Sequence, residues 1–319
     1  MPKSVDCAAN AKKKSAKKNG RPNYNVNRSQ QSLKMSAARF GCVNGRGVLI
    51  IESLDNYIDI EKFSGGKLPS DPMACISRWS EVCSLAKSLT SAKTSDLIAL
   101  DFDKLDCPVP QPRQIFAVGV NYKAHAAEMN HGLPKEPLVF TKFPSSINRP
   151  HGQIKLVGEK CDYEAELVAI VGKGGRNISV TDAWSHVAGL CVGQDFSDRA
   201  LQYANTPPQF SLGKSREGFT AIGPYITDAA TLTTRGNLEM TCRVSGEIMQ
   251  HTQTDDMIFE IPDIIAYLSG ICELFSGDVI YTGTPSGVGA GRTPQRFLRT
   301  GDIVETTIQD LGTLRNTCI

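Results

Sequence analysis

Apolar residues recur along this chain in two rhythms, short strand-like runs and a helical spacing of three or four, and the first dominates. Between Ala37 and Asp59 the runs Arg39-Phe40-Gly41-Cys42-Val43 and Gly47-Val48-Leu49-Ile50-Ile51 are joined by Asn44-Gly45. Asn-Gly tolerates the left-handed backbone that a tight turn demands, so a β-hairpin is predicted here. In residues 71–100 the spacing changes, and Trp79, Val82, Leu85, Ala86 and Leu89 fall on one face of a helix. Pro108-Val109-Pro110-Gln111-Pro112 then holds the chain extended and ends a small N-terminal α/β lobe, expected over residues 36–107.

Beyond that linker strands are predicted at 115–120, 138–140, 164–171, 187–192, 240–244, 279–282 and 303–308. The helix candidates, 124–129, 181–186 and 262–269, are few and short; the last carries Pro262 near its first turn, where a missing N–H matters least. Strands outnumber helices and do not alternate with them. The expected class is therefore α+β, mostly β, with residues 113–319 as the main domain, rather than a doubly wound parallel sheet.

Charge changes the picture at the N-terminus. Residues 1–40 hold ten Lys or Arg and one acidic residue, Asp6, leaving 25 basic against 32 acidic residues and a net charge of −7 for the remainder. A body that acidic excludes a general nucleic-acid surface, which needs clustered Lys and Arg. Residues 1–35, with the run from Ala11 to Lys18 and almost no large apolar side chain, are expected to be a disordered basic tail. Such a tract fits a nuclear signal, a nucleic-acid tether or a weak transit peptide as well as a plain solvated tail. No stretch approaches the roughly 20 apolar residues of a membrane span. The ten cysteines are scattered, with no C-x-x-C pair and no zinc-finger spacing. Reduced thiols without a secretory leader point to an intracellular setting, cytoplasmic as the first expectation and mitochondrial as the alternative.

Four segments carry candidate chemistry. In Asp162-Tyr163-Glu164-Ala165-Glu166-Leu167 the glutamates alternate at the head of an apolar run, so on a strand they share one face about 7 Å apart. Such a pair is usually a solvent-facing edge. Here a third carboxylate, Asp195, follows another apolar run, and three hard oxygen donors at adjacent strand ends suit Mg²⁺, Mn²⁺ or Ca²⁺. His125 and Glu128 lie three apart on a short helix, where Glu128 orients His125 as a general base. Lys214, bracketed by Gly213 and Ser215, is placed to meet an anionic substrate or a developing enolate. Finally, the glycine-rich loop from Tyr281 to Gly289 offers backbone amides and the Thr284 hydroxyl to a carboxylate; it is neither a Walker loop nor a dinucleotide fingerprint.

Taken in order, these segments resemble the fumarylacetoacetate hydrolase family, in its acylpyruvase and 2-hydroxyhepta-2,4-diene-1,7-dioate isomerase-like branch. The matching residues are Val118-Gly119-Val120-Asn121-Tyr122 with His125 and Glu128, Asp162 to Leu167, Asp195 with Arg199 and Gln202, Gly213-Lys214-Ser215, and Thr282-Gly283-Thr284-Pro285. The resemblance implies a mixed β-sandwich roll with a small N-terminal domain, and a homodimer built on the large one. It implies Mg²⁺ or Mn²⁺, sometimes Ca²⁺, held by Glu164, Glu166 and Asp195. His125 with Glu128 would be the water-activating dyad and Lys214 the partner of substrate oxygen, with Tyr122, Arg199, Gln202 and Thr284 as substrate contacts. The implied reaction is hydrolysis of a C–C bond in a small 2,4-diketo acid, because both members of the dyad are present. Isomerisation, hydration, or oxaloacetate decarboxylation or tautomerisation are alternatives on the same fold, and a non-catalytic binding protein is a third reading. Two positions depart from the family pattern: Arg199 is followed by Ala200 rather than Asp, and Lys214-Ser215 is followed by Arg216-Glu217 rather than Phe-Asp. The extra cation Arg216 either favours a more acidic substrate or faces solvent.

Overall fold

The computed structural model describes residues 38–319 apart from 52–54 and 130–131, so the basic tail expected over 1–35 lies outside the described residues. The predicted hairpin is present as β1 (Arg39–Val43) and β2 (Arg46–Ile51), with Asn44 and Gly45 both at positive φ, and β3 (Asn56–Asp59) follows. The helical stretch after it is broken: Pro72–Ser77 and α1 (Trp79–Lys87) are separated by Arg78, whose backbone leaves the helical region. Then come β4 (Ile115–Gly119), α2 (Lys123–Glu128), β5 (Leu138–Thr141), β6 (Ala165–Val171) and β7 (Val187–Asp195). The helix expected over 181–186 is only a 3-10 turn, Ala183–His186, since six residues running straight into a buried strand are too few to nucleate an α-helix.

Two short helical turns, α3 (Arg199–Gln202) and α4 (Phe210–Gly213), precede β8 (Thr220–Asp228). The second half contains β9 (Glu239–Val244), β10 (Glu247–Gln253), α5 (Ile261–Ile271), β11 (Val279–Tyr281), β12 (Ile303–Ile308) and β13 (Gly312–Cys318). Pro262 sits in the first turn of α5 as predicted.

The principal sheet has 12 strands and runs β3-β2-β1-β8-β7-β6-β11-β4-β5, with two-residue strands attached. Pairing is antiparallel except where β11 meets β4 and where the short strand Ile147–Asn148 meets β8, so the sheet is mixed. A second sheet of five strands is built on β10-β9-β12-β13. Leu167, Ala169, Leu190 and Val192 of the first sheet and Met240, Cys242, Val304 and Leu314 of the second join one hydrophobic cluster, and α5 adds Ile264, Ile265 and Leu268. This is the mostly β, α+β class expected from the strand count, in the β-sandwich form that the resemblance implies. The sheet also crosses the 107–113 linker: β1 of the N-terminal segment pairs with β8, Phe40 opposite Ile226.

Strand β8 was not legible in the sequence, although all nine of its residues are buried. Gly223-Pro224 interrupts its apolar pattern, and the ladder to β7 shifts register there, which is where a residue without an N–H is tolerated. Strand β6 reads clearly because it is covered on both faces, leaving seven consecutive buried residues.

Candidate active site

The site is assembled at one end of the antiparallel pair β6·β7. Glu166 stands near the start of β6 opposite Gly193, and Asp195 ends β7, so the two carboxylates arrive at the same sheet edge. Glu164 lies one residue before β6, where its carbonyl accepts the Asp195 N–H at 2.9 Å. Two side-chain amides hold this backbone: Gln194 accepts from the Glu164 N–H at 2.9 Å and Gln250 from the Ala165 N–H at 2.9 Å. Glu164, Glu166 and Asp195 are all buried, and one oxygen from each lies within 4.8 Å of the others.

Three cations surround the carboxylates. Lys214 Nζ donates to Glu164 Oε2 at 2.5 Å and to Asp195 Oδ2 at 2.6 Å. Arg199 Nη2 donates to Glu164 Oε1 at 2.7 Å, while its Nε donates to Asp162 Oδ2 at 2.9 Å. Lys142, wholly buried, donates to Asp195 Oδ1, to the Lys214 carbonyl, and to the Phe219 carbonyl at 3.2 Å. Burial alone pushes Glu164 up, but Lys214 and Arg199 outweigh it and hold the carboxyl at about 2. Glu166 goes the other way, because burial, Asp195 and Glu164 all disfavour its charge and push it well above the usual carboxylate range. Burial lowers Lys142 despite the adjacent Asp195, whereas in Lys214 the two carboxylates overcome burial and raise it.

This cluster fits a divalent metal. Its donors are hard oxygens, and among the described residues Glu166 has no cationic side chain bonded to it; its Oε2 accepts the Gly283 N–H at 2.7 Å. The glycine-rich loop therefore offers this amide to a carboxylate of the protein itself. Gly283 must be glycine, since its φ is +101° and a Cβ there would stand 2.8 Å from Asn121 Cβ and 3.0 Å from the Val118 carbonyl.

His125 and Glu128 meet as predicted: Nδ1 lies 2.9 Å from Glu128 Oε2, and Oε1 of the same carboxylate accepts the Gly287 N–H at 2.9 Å. A carboxylate oxygen accepts, so the imidazole proton sits on Nδ1 and Nε2 is left as a base. His125 lines a cavity of about 50 Å³ together with Glu164, Glu166, Asp195, Arg199 and Lys214. Gln202 and Thr284 also line it; Gln202 accepts from Arg199 Nη1 at 2.9 Å, and the Thr284 hydroxyl donates to the Ala165 carbonyl at 2.8 Å. Tyr122 does not line it. It is fully buried in the hydrophobic cluster at the start of α2, and its hydroxyl has no hydrogen-bond partner among the described residues. Arg216 is exposed to solvent, the second course expected of it, and its Nη2 donates to Asp198 Oδ2 at 2.9 Å, while Asp198 caps α3 through the Leu201 N–H at 3.1 Å.

Sequence reasoning missed Lys142, a lone lysine after a short strand, and Asp162, which sat inside the quoted motif without a role. Asp162 accepts from Arg199 and from the Gly289 and Ala290 N–H groups at 2.7 and 3.0 Å, tying the cation to the glycine-rich loop.

The fold thus brings three buried carboxylates beside a His–Glu pair at one end of a β-sandwich. Residues 114–319 match the family model described as fumarylacetoacetate (FAA) hydrolase, C-terminal, and the chain belongs to that family. It is 41% identical over 211 residues to the human oxaloacetate tautomerase FAHD2A, mitochondrial, covering 66% of this chain and 67% of that protein. Among solved structures, the fumarylacetoacetate hydrolase of Exiguobacterium antarcticum is 30% identical with a TM-score of 0.71, covering 88% of this chain and 98% of that one. The maleylpyruvate hydrolase of Sphingobium sp. SYK-6, in complex with manganese (II) ion and pyruvate, is 26% identical with a TM-score of 0.70 over 88% of this chain and 98% of the other.

Proposed function

We propose that this protein is a metal-dependent enzyme that enolises a small 2-oxo acid, with keto–enol tautomerisation of an oxaloacetate-like compound as its principal reaction. The observation that carries this reading is the meeting, in one cavity, of the three-carboxylate cluster with the His125–Glu128 dyad. The dyad alone favours hydrolysis in the sequence. The tautomerase relative moves the preference to proton transfer, which needs the same base and no water. Hydrolysis of a C–C bond is the second reading, supported by the hydrolase neighbour bound to manganese and pyruvate.

Glu164, Glu166 and Asp195 would hold Mg²⁺ or Mn²⁺, with Ca²⁺ as a third choice. Once bound, such an ion supplies positive charge to the substrate's carboxylate and 2-oxo oxygens. The rest falls to the chain. Nε2 of His125 accepts a proton from C3 as the C3–H electron pair becomes the C2–C3 double bond, and the oxygen at C2 then takes up that proton. Glu128 stabilises the imidazolium between these steps. Lys214, freed from balancing Glu164 and Asp195 when another cation does so, would offset charge on the C2 oxygen. Arg199 and Gln202 orient the substrate carboxylate.

A homodimer follows from the resemblance alone. A mitochondrial location is supported by the name of the human relative and by the basic first 40 residues. No helix among the described residues is long and apolar enough to cross a membrane.

The test is exchange at C3. In D₂O with Mn²⁺, the wild-type protein should speed loss of the C3 proton signal of oxaloacetate, and His125→Ala should lower that rate by about 10² to 10⁴-fold. Equal exchange with and without His125 would remove it as the base.

A further inference from the structure

Six non-glycine residues among those described have positive φ. Five are Asn44, Asp55, Asn177, Ser245 and Asp310, short polar side chains of the kind that tolerate the left-handed region. The sixth is Val120, at φ +55°. A β-branched residue is disfavoured there, because Cβ and its two methyl groups crowd the neighbouring carbonyl.

The left-handed turn itself has a purpose. It ends β4 and brings Asn121 round so that its Nδ2 donates to the Thr282 carbonyl at 2.7 Å and to the Phe259 carbonyl at 3.0 Å, next to the Gly283 amide that holds Glu166. Glycine or asparagine would make that turn with less strain. Valine is not explained by core packing either: Val118, two residues earlier, belongs to the central hydrophobic cluster, while Val120 is half-buried and outside it. Val120 instead lines the substrate cavity, whose apolar lining also includes Met129, Phe140, Phe210 and Val288. The lysine and arginine that line this cavity, Lys214 and Arg199, are both bonded to carboxylates of the cluster.

We infer that Val120 is a specificity-determining residue, kept in a strained backbone because its isopropyl group bounds the space for the substrate's far end, remote from the carboxylate cluster, and restricts that end to a compact group. This rests on the 2-oxo acid reading of the site. The strain is the sign that the side chain, and not only the turn, is retained.

The experiment compares wild type, Val120→Gly, Val120→Asn and Val120→Ala with Mn²⁺, using acetylpyruvate and a longer unbranched acylpyruvate, and records KM, kcat and Tm. Val120→Gly and Val120→Ala should raise kcat/KM for the longer acid relative to acetylpyruvate by about tenfold, through KM, because removed methyl groups open the cavity. Val120→Asn, of similar bulk, should keep the size limit and raise Tm by about 2–4 °C by relieving the backbone. A substrate ratio unchanged within about twofold in the glycine and alanine variants would overturn the inference, as would a Tm for Val120→Asn below that of wild type. If wild type turns over neither acid, the hydrolytic reading fails, and the same ratio is read from calorimetric binding of the two acids with Mn²⁺. Equal relative affinities in wild type and Val120→Gly, or no binding of either acid, would then overturn the role of Val120.

Discussion

The ammonium of Lys142 donates to Oδ1 of Asp195, and neither side chain has any exposed surface. Lys142 thereby fixes one oxygen of a carboxylate in the candidate metal cluster and, through the Lys214 carbonyl, the backbone of the neighbouring cation. Removing it leaves Asp195 with Lys214 as its remaining cation and takes a donor from the Lys214 and Phe219 carbonyls, the second of which keeps the Phe196 N–H. Lys142→Met should lower the free energy of unfolding by about 3–5 kcal/mol, measured by urea denaturation. Excess Mn²⁺ should restore part of that loss by supplying the missing charge; an unchanged midpoint would count against this role.

Glu166 yields a prediction in pH. Its carboxyl is raised in the folded metal-free protein by burial and by Asp195 and Glu164. The folded state therefore holds a proton that the unfolded chain has already released above the ordinary carboxylate range, so this group's contribution to stability falls as pH rises through the raised value. Metal must displace that proton, and Mn²⁺ affinity should increase with pH over the same window. Glu166→Gln removes both effects: the metal-free variant should melt at least about 2 °C higher than wild type near neutral pH and gain nothing from Mn²⁺. A Mn²⁺-dependent Tm shift in the variant equal to that of wild type would exclude Glu166 as a ligand.

Gly283→Ala tests the loop that positions Glu166. A Cβ at φ +101° against Asn121 and the Val118 carbonyl forces the loop to shift, and the 2.7 Å bond to Glu166 with it. Calorimetric Mn²⁺ affinity should fall by about 10–100-fold, the usual scale for losing a partner of a metal ligand. Affinity retained within a factor of about two would show that this amide does not position Glu166.

Glu128→Gln should separate the base from the metal. The substituted amide can still accept from His125 Nδ1 but no longer stabilises an imidazolium, so turnover should fall by about 10²-fold or more while Mn²⁺ affinity is unchanged. A parallel loss of metal affinity would instead give Glu128 a structural role.

Much of the site could be read from the chain because its signals are local. Glu164 and Glu166 are two residues apart at the head of an apolar run, His125 and Glu128 are three apart on one helix, and Asp195 closes a strand. Lys142 could not be read in this way, since its partners are 53, 72 and 77 residues distant and nothing in its own segment distinguishes it from a solvated lysine. Tyr122 belongs to a motif adjacent to the site while its ring lies in the core, and the motif alone does not show which way a side chain turns. The partner of Arg216 was not legible because Asp198 stands 18 residues earlier. The order of the principal sheet was hidden by Gly223-Pro224 in β8, the strand that links the N-terminal hairpin to β7.

The most direct measurement is the ultraviolet decay of enol-oxaloacetate to the keto form, followed during a Mn²⁺ titration of metal-stripped wild type and Glu164→Ala. Metal-dependent enolisation at the carboxylate cluster requires saturable acceleration by wild type with Mn²⁺, none after chelation, and none from Glu164→Ala at any Mn²⁺ concentration. Equal acceleration by the metal-stripped wild type, or by Glu164→Ala, would contradict it.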